Sequence, residues 1–167
     1  MIGKLILITL VQMVLSRSVF QHSSSTKSEK CPPSLSRGWG DSLDWIQTYE
    51  EALYRARTNN KPLMIIHHSE SCPKSKALKE AFASHDEIQT MAQEHFNMLN
   101  LVFETNDHNI FPDGQYMPRI LFVDPSLTVR TEITGSHENQ KYKYEDKEIE
   151  ILHENMKKAL KLLRFDL

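Results

Sequence analysis

Residues 61–82 read KPLMIIHHSESCPKSKALKEAF, and their reading decides the fold. Residues 63–66 form an apolar, partly β-branched run behind Pro62, which predicts a buried strand. Residues 74–82 place Ala77, Leu78, Ala81 and Phe82 on one face at helical spacing, which predicts a helix. A short polar turn separates the two and puts Cys72 where the helix begins. A sulfur there meets unpaired backbone N–H groups and the positive end of the helix dipole. Both favour thiolate over thiol.

Working outward, Thr48-Tyr49-Glu50-Glu51 matches a capping box that opens an earlier helix. Tyr49, Ala52, Leu53 and Ala56 form its apolar face, and Asn59-Asn60 stops it. On the other side, Ser84-His85-Asp86-Glu87 is a second capping box. It leads into a short helix with Ile88, Met91 and Ala92 inward. Residues 98–103 are an apolar run broken by Asn100, a second candidate strand. Residues 106–115 form a polar loop without the ordered acidic spacing of a calcium loop. Residues 120–123 predict a third strand and 129–133 a fourth, joined by an Asp124-Pro125 turn as a hairpin. Ile149, Leu152, Met156, Ala159, Leu160 and Leu163 mark a final amphipathic helix. Met91, Met98 and Met156 are expected in the core. The expected class is α/β, with a mixed β-sheet covered by α-helices on both faces.

The chain has 167 residues, 40% hydrophobic and 25% charged, an ordinary globular composition long enough for one cored domain. The first eighteen residues hold Lys4, Arg17 and no acid. Taking those two from the 20 basic residues leaves 18 against 22 acidic ones, a net charge of −4. That mild acidity argues against nucleic acid as a partner. Lys4, the apolar run 5–15 and Ser16-Arg17-Ser18 read as a signal peptide over residues 1–18. The run is short for a membrane span, so no span is expected after cleavage. The protein is then expected in the secretory pathway, which permits disulfides. No Asn-x-Ser/Thr acceptor occurs. Residues 19–38 are rich in Ser, Lys and Pro and read as a flexible arm that carries Cys31, and residues 39–167 as the domain. His67 and His68 are adjacent on a strand and point to opposite faces, so they are not expected to share a metal ion with Cys72. No metal and no cofactor are expected.

Cys72-Pro73-Lys74-Ser75 after a buried strand looks like a thioredoxin-type C-x-x-C motif whose second cysteine is serine. Met117-Pro118 stands where the thioredoxin fold keeps its cis-proline loop. More narrowly, several blocks closely resemble the anterior gradient family, divergent members of the protein disulfide isomerase superfamily. They are Ser36-Arg37-Gly38-Trp39-Gly40-Asp41, Gln47-Thr48-Tyr49-Glu50-Glu51, the run 61–68, Pro112-Asp113-Gly114-Gln115-Tyr116, and the run from Pro118-Arg119-Ile120 through residues 124–130. The resemblance covers the chain from Leu35 onward. It implies a thioredoxin-like fold with one active-site cysteine, Cys72, with Ser75 in the place of the resolving cysteine and Pro118 in the cis-proline loop. It implies an endoplasmic reticulum or secreted location, secretory client proteins, and roles in development and regeneration. It also implies Ly6-type cell-surface partners. A weak homodimer through Glu51-Ala52-Leu53-Tyr54 and Arg55 follows from the same resemblance, the acid pairing with the base one turn on. Members usually end in a retention signal, and here Arg164-Phe165-Asp166-Leu167 keeps the acid and leucine but carries Phe165 for the usual polar residue.

Thiol–disulfide exchange needs a thiolate to attack and, for rapid release, a second thiol to resolve the mixed disulfide. Cys72 supplies the first. Ser75 cannot supply the second, so a stand-alone dithiol oxidase is disfavoured. Two readings follow: a one-cysteine isomerase or chaperone for secreted clients, or an extracellular ligand on a thioredoxin scaffold. Lys74 is expected to favour the thiolate and Glu70 to oppose it. Cys31 is expected free or linking chains.

Overall fold

The structure is a computed structural model that describes residues 34–102 and 110–163. The expected signal peptide, most of the expected arm including Cys31, and residues 164–167 lie outside the described residues. In chain order the elements are β1 (Trp45–Ile46), α1 (Tyr49–Asn59), β2 (Leu63–His67), α2 (Pro73–Ser84), α3 (Asp86–His95), β3 (Asn97–Leu101), β4 (Arg119–Val123) and α4 (Ile149–Leu163). A 3₁₀ turn, Asp146–Glu148, leads into α4.

The four strands lie in the order β1-β3-β2-β4. β3 runs parallel to β1 and β2, with Met98 beside Trp45 and Leu99 beside Ile65. β4 is antiparallel to β2, with Leu121 beside Ile65 and Arg119 beside His67. The sheet is therefore mixed, as expected.

Alternate residues of a strand face opposite sides, and here both sides are dry. Met64, Ile66, Met98, Ile120 and Phe122 pack with Leu78 and Phe82 of α2, Ile88 of α3, and Leu152 and Met156 of α4. Leu63, Ile65, Leu99, Leu121 and Val123 pack with Ala52 and Ala56 of α1, and with Ile110 and Tyr142. Each fully buried Ile, Leu or Met contributes about 1.5–3 kcal/mol relative to exposure. Three helices thus cover one face and one helix the other. Among the described residues, no helix is long and apolar enough to cross a membrane.

One strand was missed and three expectations are corrected. β1 went unforeseen because two residues carry no readable period. The fourth strand shrinks to a single antiparallel bridge, Val123 to Val129. Asp124 Oδ1 accepts the Thr128 N–H at 2.9 Å, and Leu127 turns left-handed with φ 69°. Thr131 and Ile133 then bond back locally to Val129 and Arg130, so the hairpin does not extend. The α3 cap is His85, whose Nδ1 accepts the Ile88 N–H at 3.4 Å. Ser84 instead donates back to the Glu80 and Ala81 carbonyls of α2. Finally, residues 34–38 are not a free arm. Ser36 is buried, and Asn100 Nδ2 donates to its carbonyl at 3.0 Å. The polar residue that breaks the β3 run is the anchor for that segment.

Candidate functional site

β2 ends at His67, and a five-residue turn carries the chain to α2. Cys72 is the N-cap of α2, with extended backbone (φ −87°, ψ 119°), and Pro73 fills the first helical position. Proline suits that place because its missing N–H would have no partner there. The Cys72 N–H donates to the Ser69 carbonyl at 3.2 Å, and the Cys72 carbonyl accepts from Lys76 at 3.0 Å. The thiol is free and half-buried.

Its ionisation is eased. The Ser75 backbone N–H, foremost, holds the Cys72 thiol below its ordinary value, against the opposing effect of burial. The Ser75 hydroxyl, the Lys74 N–H and the Lys74 charge add to it. Ser75 is 1% exposed, and its Oγ also accepts the Ser69 N–H at 3.3 Å. The residue in the resolving position therefore acts as a donor to the thiolate. Lys74 Nζ donates to Glu145 Oε1 at 3.0 Å. Glu145 also meets Lys143 and Lys147, and the Lys74 bond, first of these, pulls its carboxyl down to about 2. Glu70, expected to oppose the thiolate, is paired with Arg37 at 2.9 Å.

The Met117–Pro118 peptide is cis, as expected. Pro118 immediately precedes Arg119, which lies beside His67 in the sheet. Pro118 and the Cys72 turn thus share one end of the sheet.

His67 and His68 do point to opposite sides. His68 lies 5.2 Å from the Trp39 ring and its Nε2 is 2.6 Å from Asn100 Oδ1. His67 lies edge-on to Phe111 at 5.3 Å. Both are 1% exposed, so the two are core residues. Burial lowers the His68 pKa and favours the neutral ring.

The helix expected to carry the dimer is α1. Glu51 Oε1 accepts from Arg55 Nη2 at 2.7 Å within the helix, and Asp44 Oδ2 accepts from Arg55 Nη1 at 2.8 Å. Tyr54 is 69% exposed. Ala52 is fully buried beneath the helix, so its side chain cannot face a partner, a correction to the expected set. Glu51, Leu53, Tyr54 and Arg55 retain some exposure.

Sequence reading missed Arg119. It is fully buried, with its guanidinium 3.9 Å from the Phe111 ring centre and Nη1 donating to the Gly114 carbonyl at 2.8 Å. Burial pushes its pKa down to about 10. A charged residue opening a strand gave no signal of such depth.

Known proteins bear on this geometry directly. The thioredoxin-like family matches residues 44–125. Anterior gradient protein 2 homolog of Mus musculus is 52% identical over 99% of this chain and 97% of its own length. Anterior gradient protein 3 of Xenopus tropicalis is 54% identical over 93% of this chain and 94% of its own.

The chain belongs to the anterior gradient family.

The human anterior gradient protein 2 homolog is 61% identical over 83% of this chain and 78% of its own. Among solved structures, a thioredoxin from Thermus thermophilus superposes with a TM-score of 0.54 at 17% identity, over 71% of this chain and 88% of that one. That likeness concerns the fold alone, and the fold is thioredoxin-like. Within this family member the thiol stands at a helix start, at the sheet end shared with Pro118, with a serine where a second thiol would resolve.

Proposed function

We propose that this anterior gradient protein acts in the secretory pathway as a one-cysteine disulfide isomerase or chaperone for secreted client proteins. The observation that carries the reading is the pair Cys72 and Ser75. One is a half-buried thiol eased toward thiolate; the other is a buried hydroxyl that donates to it.

The Cys72 thiolate attacks one sulfur of a client disulfide. A Cys72–client disulfide forms, and the other client sulfur leaves as thiolate. A client thiolate then attacks the client sulfur of that bond and returns Cys72 as thiolate. No net oxidation occurs, and no second thiol of this chain is needed. Without Ser75 as a thiol, release waits on the client, which makes the mixed disulfide long-lived enough to hold a client.

The test is non-reducing electrophoresis of alkylator-trapped complexes from secreting cells. Client adducts are expected with the native chain and absent with Cys72→Ser. Equal adducts in both would move the chemistry to Cys31 and end this reading.

A second reading is a secreted ligand in development or regeneration that binds a Ly6-type cell-surface protein. Medium against lysate, measured with a tag inside the mature chain, separates the two: retention supports the first and efficient release the second. The weak homodimer through α1 is compatible with either.

A further inference from the structure

We propose a divalent-cation site of the zinc-binding class where the start of α3 meets α4. Its ligands are His85, Glu150 and His153, with Glu87 as the fourth. None of them belongs to the thiol site. α2 lies between Cys72 and His85, and twelve residues of helix span about 18 Å.

The donor atoms of His85, Glu150 and His153 all lie within 4.8 Å of one another. His85 Nε2 is 3.2 Å from Glu150 Oε1. His153 Nδ1 is 3.9 Å from Glu150 Oε2 and 3.5 Å from Glu87 Oε2. A tetrahedral zinc ion with ligands at about 2.0–2.1 Å holds neighbouring donors about 3.3 Å apart. The two imidazole rings stand 5.1 Å apart at 63°. The two separations at His153 are too long for good hydrogen bonds. They lie close to the spacing of donors that share one ion.

The placement follows from the sequence. Glu150 and His153 are three apart on α4 and share a face. A carboxylate and an imidazole at that spacing present both groups to one ion. His85 caps α3 and Glu87 lies in its first turn, against which that face packs. His153 is 3% exposed and so is held in place, whereas Glu87 and Glu150 keep side chains 75% exposed and are free to close on an ion. A groove of about 400 Å³ reaches His153 from solvent, and Asp86, Glu87 and Glu94 outnumber Lys157 along it. It gives a cation an acidic entry path.

His85 gives up something to bind. A cation on Nε2 leaves the ring proton on Nδ1, so the Ile88 N–H loses its acceptor. That bond is already long at 3.4 Å. The hydrogen bond from His85 Nε2 to Glu150 is given up as well, and the bonds of two imidazoles and two carboxylates to the ion offset both losses. Loaded, the ion ties α3 to α4.

The experiment titrates zinc chloride into the untagged chain carrying Cys31→Ser and Cys72→Ser, so that no thiol competes. Calorimetry is expected to show one ion per chain, and the melting temperature is expected to rise with zinc concentration. Cobalt(II) in its place is expected to give the intense visible bands of a tetrahedral ion. His85→Asn keeps a cap for α3 and removes one ligand. It and Glu150→Gln are each expected to weaken binding at least tenfold. His153→Leu is expected to abolish it, and if that variant does not fold the other two decide. Absence of saturable one-to-one binding, or unchanged affinity in His85→Asn and Glu150→Gln, would overturn the site.

Discussion

At the scale of single residues, Ser75 carries the most chemistry for its size. Its backbone N–H and its hydroxyl both face the Cys72 sulfur, but only the hydroxyl can be removed. Ser75→Ala therefore raises the thiol pKa without returning it to the value of an isolated cysteine, because the N–H remains. The pH profile of iodoacetamide alkylation checks this: the midpoint moves up, and the rate at pH 7 falls. An unmoved midpoint would mean that the hydroxyl contributes nothing. The linked stability has a definite sign. The folded thiol ionises more readily than the unfolded one, so its contribution is present above the unfolded pKa and is lost as pH falls through the folded one. Cys72→Ser, by contrast, leaves the fold intact. The sulfur is half-exposed and belongs to no core cluster, so stability measured by urea unfolding is expected to change by no more than about 0.5 kcal/mol.

Among elements, α2 is the one that aims the sulfur, and it is held by Leu78 and Phe82, both fully buried. Leu78→Ala is expected to cost about 2–5 kcal/mol. Urea denaturation measures it, and a loss under about 1 kcal/mol would show that α2 is seated by other contacts. On α1, Glu51→Ala removes an exposed intrahelical pair worth about 0.3–0.5 kcal/mol. If Glu51 also reaches a second copy, sedimentation at micromolar concentration shows a lost dimer; an unchanged profile assigns the pair to its own helix. These elements were legible because each has length and period. β2, α1, α2 and α4 show apolar residues at clear spacing, and Thr48 does cap α1 through the Glu51 N–H. What stayed hidden was decided by side chains meeting across the fold. Asp124 closing on Thr128 cancelled a strand, and Asn100 recruited Ser36 from the arm. At the thiol site, Cys72 and Ser75 were read from a motif and its flanks, and the cis peptide at Pro118 from the resemblance to the thioredoxin fold. The donor role of Ser75 depends on a turn geometry that no spacing encodes. His85 and His153, sixty-eight positions apart in the sequence, share no readable motif.

On the scale of the whole molecule, the outer side of β4 has a consequence beyond topology. An uncovered strand edge is a template on which another chain can add a strand. Under the proposed function, which has it hold partly folded clients, the protein meets such chains constantly. Here the Arg130 N–H donates to the Phe122 carbonyl at 2.8 Å, and the Ile120 N–H donates to the Tyr142 carbonyl at 2.9 Å. Val129 bridges to Val123. Irregular chain thus occupies the edge that a longer hairpin would have moved outward and left open. Arg130→Pro removes the covering N–H, while Arg130→Ala keeps it and loses only the side chain. Light scattering during co-incubation with a reduced, unfolding client is expected to rise for the proline variant alone. Equal scattering in the two would show that the cover is incidental. At the opposite edge β1 is two residues long, too short to seed a strand. Under the proposed function, both sheet edges are thus withheld from lateral strand addition, and a client's approach is end-on at Cys72.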